Sequence, residues 1–235
     1  MKMVPESHGT SEFGSYMHKI LELYGKGELD IYDMLSYYEK HYAENVTSTF
    51  TLQMTKDFSR DMGYKYYKDG YDFLSNFTGF DFKILETEKH FELPFKDKFR
   101  LQGQIDVVAE NDDGLLIIDY KSKGNWKSKA ERLEYEKQLY SYAWAMKQMY
   151  GKYPKKMAFF MFRLNKWTWV DFNEDRLNEV LDWIESTVDE IEGEFEFKPI
   201  TQENNGKFDF YCNNFCDFRH QCPYGQLTNQ GERFA

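Results

Sequence analysis

Residues 103–122, GQIDVVAENDDGLLIIDYKS, constrain this chain more than any other stretch. Asn111-Asp112-Asp113-Gly114 is a strong tight-turn signal between two apolar runs. It predicts an antiparallel hairpin of FRLQGQIDVVAE (99–110) and GLLIIDYKS (114–122). Side chains alternate along a strand, so Leu115, Ile117, Asp119 and Lys121 share one face. Leu116, Ile118 and Tyr120 share the other. Asp106 lies in the partner strand, also among apolar residues. Two carboxylates and a lysine on adjacent apolar strands are costly to bury unless something offsets their charge. A hard divalent cation does so, because it prefers carboxylate, carbonyl and water oxygens. It can polarise a phosphoryl oxygen and acidify a bound water, which Lys121 could steady or help to deprotonate. The plainer alternative is a buried salt bridge, Asp119–Lys121 or Asp106–Lys121.

Helical spacing surrounds this hairpin. Residues 11–24 carry Phe13, Met17, Ile20, Leu21 and Tyr24 at helical intervals, and 31–45 and 53–77 read as helices too. FKILETEKHFELPF (82–95) reads as a strand. Residues 130–149 are expected to bury Leu133, Leu139, Tyr142, Ala143 and Met146 along one helix face. MAFFMFRL (157–164) and WTWVDF (167–172) read as strands on either side of Asn165-Lys166. Residues 174–192 place Leu177, Val180, Leu181, Ile184, Val188 and Ile191 on one side of a last helix. The order of helices, three strands, helix, strands, helix predicts an α/β sandwich with a mixed central sheet.

Composition bounds the function. The 235 residues suffice for one packed domain with an appendage, and no apolar run approaches the roughly 18 residues of a membrane span. MKMVPESHGT lacks the apolar centre of a signal peptide, so a cytoplasmic protein is expected. Aromatic residues make up 19%, which predicts a ring-rich core and a ring-rich groove if there is one. The net charge of −10 disfavours a polyanionic partner unless cations offset the site acids or basic groups cluster locally. Lys121, Lys123, Lys127, Lys129 and Arg132 surround a single Glu131, although charge alone reads that stretch as a solvated loop.

Gly103, Ile105 and Asp106, a turn, and then Ile118-Asp119-Tyr120-Lys121 resemble the core motif of the RecB-like branch of the PD-(D/E)xK nucleases. Ile105 stands where the wider superfamily carries Pro. Further matches fall in order: His18 after Gly14, Glu88 on the preceding strand, and Gln138 and Tyr142 in Q-L-x-x-Y on the following helix. Each alone suits an ordinary helix or strand position, and their joint order carries the resemblance. It implies a restriction-endonuclease-like core in residues 1–198, with a helical layer in 1–80 and a catalytic core in 81–198. Asp106 and Asp119 would hold Mg²⁺ or Mn²⁺ with His18 and the Tyr120 carbonyl, and Glu88 would stand behind them. Lys121 would position the attacking water, with Gln138 and Tyr142 orienting Lys121 or touching DNA. The resemblance implies phosphodiester hydrolysis by an exonuclease of bacterial or phage type. Single-stranded DNA is the expected substrate, and a helicase, recombination or CRISPR protein the expected partner.

Cys212, Cys216 and Cys222 lie in residues 199–235, a segment expected to pack on the core. A similar triplet followed by Pro-Tyr, here Pro223-Tyr224, binds a four-iron four-sulfur cluster in RecB-like relatives. The fourth cysteine of that pattern is missing, and the lead-in to His18 is shorter than usual in the family. A shortened start, a lost cluster, and a zinc site of the three cysteines with His220 are the alternatives. Two rival classes stand beside the nuclease: a nuclease fold that only binds DNA or a partner, and a metal protein whose cysteine tail is the site.

Overall fold

The computed structural model describes residues 8–50, 56–193, 216, 218 and 222. Its centre is a five-stranded sheet in the order β1 (Lys83–Phe95), β2 (Phe99–Asn111), β3 (Gly114–Tyr120), β4 (Lys156–Met161) and β5 (Lys166–Asp171). All neighbours are antiparallel except β3 and β4, which are parallel. A parallel pair needs a crossover, and α4 (Lys129–Tyr150) supplies it. The predicted hairpin forms: the Asn111 side chain accepts from the backbone N–H groups of Asp113 and Gly114, closing the turn between β2 and β3.

Helices cover both faces. Leu116, Ile118 and Tyr120 of β3 pack into one core with Phe13, Met17, Ile20, Tyr38 and Phe73 of α1 (Gly9–Gly25), α2 (Met34–Asn45) and α3 (Lys56–Asn76). Ile117 faces the other core, with Leu139, Ala143 and Met146 of α4 and Leu177 and Val180 of α5 (Glu174–Gly193). The alternation read from LLIIDY is therefore realised, and each fully buried Leu, Ile or Phe is worth about 1.5–3 kcal/mol. Many of the rings fill the α1–α3 layer, where Tyr16, Tyr38, Tyr42 and Tyr67 pack on one another.

Three expectations need correction. Residues 162–164 are not strand: β4 ends at Met161, and Phe162–Leu164 form a 3-10 turn. Arg163 explains the turn. Its guanidinium leaves the sheet to pair with Asp69 at 2.5 Å, to lie 3.6 Å from the Tyr66 ring centroid, and to donate to the Ser122 carbonyl. Residues 31–33 form a turn before α2. Leu133 is only half-buried and Ile191 is exposed, so both helical stripes are shorter than expected. The boundary near residue 198, Cys212 and His220 lie outside the described residues.

Candidate active site

The open end of the β2–β3 hairpin brings Asp106, Asp119, Tyr120 and Lys121 together with His18 of α1 and Glu88 of β1. Gly103 lets this corner close, because a Cβ there would lie 2.6 Å from the Phe91 ring. Gly14, one helical turn before His18, lies close to Ser122: a Cβ on it would sit 3.4 Å from the Ser122 hydroxyl.

Asp106 and Asp119 are buried, Asp119 to 2% exposure. The Tyr120 backbone N–H donates to Asp106 Oδ2 at 2.6 Å, fixing that carboxylate across the hairpin. His18 Nδ1 lies 3.6 Å from Asp106 Oδ1 and 3.8 Å from Glu88 Oε1. His18, Glu88 and Asp106 each bring a ligand atom within 4.8 Å of the others. Glu88, expected to stand behind the metal ligands, belongs to this convergent group. It reaches it from a left-handed backbone, φ 49°, on a β-strand. The ladder pairs Thr87–Val107 and Lys89–Ile105 bracket Glu88 and Asp106 across the sheet. A non-glycine residue held there costs on the order of 1–3 kcal/mol, a kind of strain that collects at functional sites. Gln104 donates to the other Glu88 oxygen.

Asp119 turns toward Lys121. The ammonium lies 2.6 Å from Asp119 Oδ2 as an ion pair, yet that buried oxygen has no aligned hydrogen bond. Lys121 Nζ donates to Gln138 Oε1 at 2.8 Å, and Gln138 Nε2 donates to the Tyr142 hydroxyl at 2.7 Å. Gln138 and Tyr142 thus form a chain that holds the ammonium. Tyr135, one turn earlier on the same α4 face, places its ring centroid 5.5 Å from Lys121 Nζ. Sequence reasoning passed over Tyr135, although its three-residue spacing from Gln138 could have found it.

The electrostatics follow from burial. Burial pushes the Asp106 carboxyl up to about 7, and nearby Glu88 adds to the rise. Burial likewise pushes Asp119 up to about 7, against the pull of Lys121 and with a contribution from Asp106. Burial lowers His18 below the ordinary imidazole value, outweighing Glu88 and Asp119, so its ring is neutral near pH 7. Burial also raises the Tyr142 hydroxyl, which leaves it a hydrogen-bonding group rather than an acid. Oxygen-rich ligands, a neutral imidazole and two carboxyls that resist ionisation fit a hard divalent cation. An open cleft of about 500 Å³ adjoins the group, with His18, Glu88, Gln104 and Ser122 in its wall. Among the described residues Cys216 and Cys222 are free, half-buried thiols.

A mixed sheet between helical layers, with two acids and a lysine at the end of its hairpin, defines a restriction-endonuclease-like protein. The chain belongs to the PD-(D/E)XK nuclease superfamily, whose family model matches residues 2–223. It is 30% identical over 86 residues to one subunit of the ATP-dependent helicase/deoxyribonuclease of Streptococcus uberis, a match covering 36% of this chain and 7% of that protein. The chain therefore spans a small fraction of that relative's length, and the match agrees with the RecB-like character of the motif. Superposition on the crystal structure of SSO0001 covers 96% of this chain and 89% of that one at 14% identity, with a TM-score of 0.35, too low to define a shared fold. No described helix is long and apolar enough to cross a membrane.

Proposed function

We propose that this nuclease-family chain is a Mg²⁺- or Mn²⁺-dependent deoxyribonuclease, acting as an exonuclease with preference for single strands. The observation that carries the reading is the convergence of His18, Glu88 and Asp106 beside a buried Asp119–Lys121 pair. Asp106, Asp119 and His18 would hold the cation, with Glu88 and the Tyr120 carbonyl completing the set. When bound, the cation would polarise the scissile phosphoryl oxygen and acidify a water. Lys121 would hold that water in line with phosphorus and neutralise charge developing on the phosphoryl oxygens. Gln138 would fix the Lys121 ammonium, and Tyr142 would fix Gln138. Water adds to phosphorus, the bond to the leaving oxygen breaks, and a phosphomonoester and an alcohol result.

Residues 1–198 would form the nuclease domain, acting in the cytoplasm of a bacterial or phage-infected cell. A helicase or recombination protein would be its partner, and the name of the helicase/deoxyribonuclease relative supports the helicase. Cys212, Cys216 and Cys222 would belong to an iron–sulfur site or, with His220, a zinc site. A visible band in anaerobically purified protein would distinguish iron–sulfur from a colourless zinc protein.

The test is Mn²⁺-dependent degradation of end-labelled single- and double-stranded DNA by the parent chain and Asp119→Ala. Loss of label that needs both the metal and Asp119 is the expected result, and the label pattern reports polarity and strand preference. DNA binding by the parent without any cleavage would overturn the enzyme reading in favour of a binding module.

A further inference from the structure

We propose that Lys123 is a DNA phosphate ligand, held in the free protein by Glu131 and released to the strand when substrate binds. This rests on the nuclease reading and names how that site grips its polyanion. Lys123 is two residues beyond Lys121, yet its side chain is only 22% exposed. Three groups hold its ammonium. The Trp126 ring centroid lies 4.7 Å away, the Tyr135 centroid 4.6 Å away, and Glu131 Oε1 accepts from Nζ at 2.7 Å. Tyr135 is the same ring that Lys121 approaches at 5.5 Å. One aromatic side chain therefore lies within 5.5 Å of both ammonium groups.

A surface lysine paired with a glutamate is ordinarily a weak structural contact worth about 0–1 kcal/mol. Two observations point beyond that here. Aromatic faces on a lysine fix the cation without neutralising it, so the charge stays available to an anion. Glu131 also closes the start of α4 in the manner of a capping box: its backbone N–H donates to the Ser128 hydroxyl at 3.1 Å, and its Oε2 accepts from the Lys127 N–H at 2.6 Å. Glutamine serves that capping position as well as glutamate. The negative charge at residue 131 is therefore not needed to start α4, whereas it does occupy the position on Lys123 that a phosphate oxygen would take.

The two charges can be separated because phosphate binding and ion pairing predict opposite signs. Binding of a fluorescein-labelled oligothymidylate to the full chain would be followed by anisotropy, with Ca²⁺ in place of Mn²⁺, between about 50 and 200 mM salt. Lys123→Gln should weaken binding about tenfold and make the log–log salt slope shallower by about 0.7, the value for one single-strand phosphate contact. Lys123→Arg should restore most of the affinity. Glu131→Gln should tighten binding several-fold, and Lys123→Gln/Glu131→Gln should bind no tighter than Lys123→Gln. Weaker binding by Glu131→Gln, or an unchanged salt slope in Lys123→Gln, would reduce the pair to a structural contact and overturn the proposal. Cleavage assays keep the two readings apart. If the parent cuts DNA through Asp119 but the slope is unchanged, only the role of Lys123 fails. If the slope and sign behave as expected while the parent does not cut, the enzyme reading fails and Lys123 remains a phosphate ligand. A parent that neither binds nor cuts overturns both.

Discussion

The two flanks of the Asp119–Lys121 pair carry opposite charge and are built by opposite means. On one side, α1, β1 and β2 bring His18, Glu88 and Asp106 together on rigid elements, with a strained backbone at Glu88 and carboxyls raised by burial. On the other, the segment after β3 and the start of α4 place Lys121 and Lys123 against Tyr135 and Trp126. The acidic flank would need a cation to offset its buried carboxyls, while on the basic flank the rings hold both ammonium groups without neutralising them and Glu131 pairs with Lys123 alone. The separation answers how a −10 chain could act on a polyanion, as proposed. The net charge sums over the whole molecule, whereas a DNA substrate would meet two small regions, one of which the proposed cation would neutralise.

The sharpest way to break the comparison is to remove the residue that joins the flanks. Asp119→Ala should bring Mn²⁺-dependent cleavage to background, and residual cutting at the parent rate would show that the acidic flank is only structural. Lys121→Ala should lower the cleavage rate by about 10²–10⁴. Its DNA affinity should change far less than its rate, and a collapse of binding in parallel would make Lys121 a substrate anchor instead. On the acidic flank alone, His18→Ala and Glu88→Gln should each weaken Mn²⁺ binding by about 10–100-fold in calorimetry. Glu88→Gln with parental affinity would return Glu88 to a supporting role behind the ligands.

A smaller effect sharpens the chain on α4. Gln138→Ala should slow cleavage by about tenfold, because it leaves the Lys121 ammonium without its 2.8 Å acceptor. Tyr142→Phe should slow it less, since it removes only the group behind Gln138.

The smallest effect is on stability. Asp106 and Asp119 sit at about 7 in the folded chain, against roughly 3.9 for an unfolded aspartate. The folded protein therefore holds protons that the unfolded chain releases. Their contribution is fully present below about pH 4 and is lost as pH rises through 7. Without metal, Asp119→Asn should melt above the parent at pH 8, by a smaller margin at pH 5, and close to it below about pH 4. Added Mn²⁺ should raise the parent's Tm more at pH 8 than at pH 6, because bound protons compete with the cation. A Mn²⁺ shift independent of pH would mean that these carboxylates are not the ligands.

Much of the fold could be read locally. The period of LLIIDY, the Asn-Asp-Asp-Gly turn and the stripe of α1 are short-range signals, and strand and helix periods express themselves over a few residues. The alternation that places Asp119 opposite Tyr120 needed nothing more. The error at 162–164 has a long-range cause: MFR continues a strand pattern, but Arg163 leaves the sheet for Asp69 on α3. Rings were legible as abundance and not as location, and more of them pack in the core under α1–α3 than in the core under α4 and α5.

The sequence by itself determined the hairpin, the two buried acids with their lysine, the mixed α/β class and the order of the motif residues. Only the tertiary structure decided that Glu88 joins His18 and Asp106, that Tyr135 lies near both Lys121 and Lys123, and that Gln138 and Tyr142 hold the ammonium from α4. The physical reason is that a side chain's period follows from its own backbone, whereas its partners depend on the register and packing of elements distant in the chain. At Glu88 the backbone even departs from its local preference, since a left-handed strand residue persists only where the surrounding packing holds it.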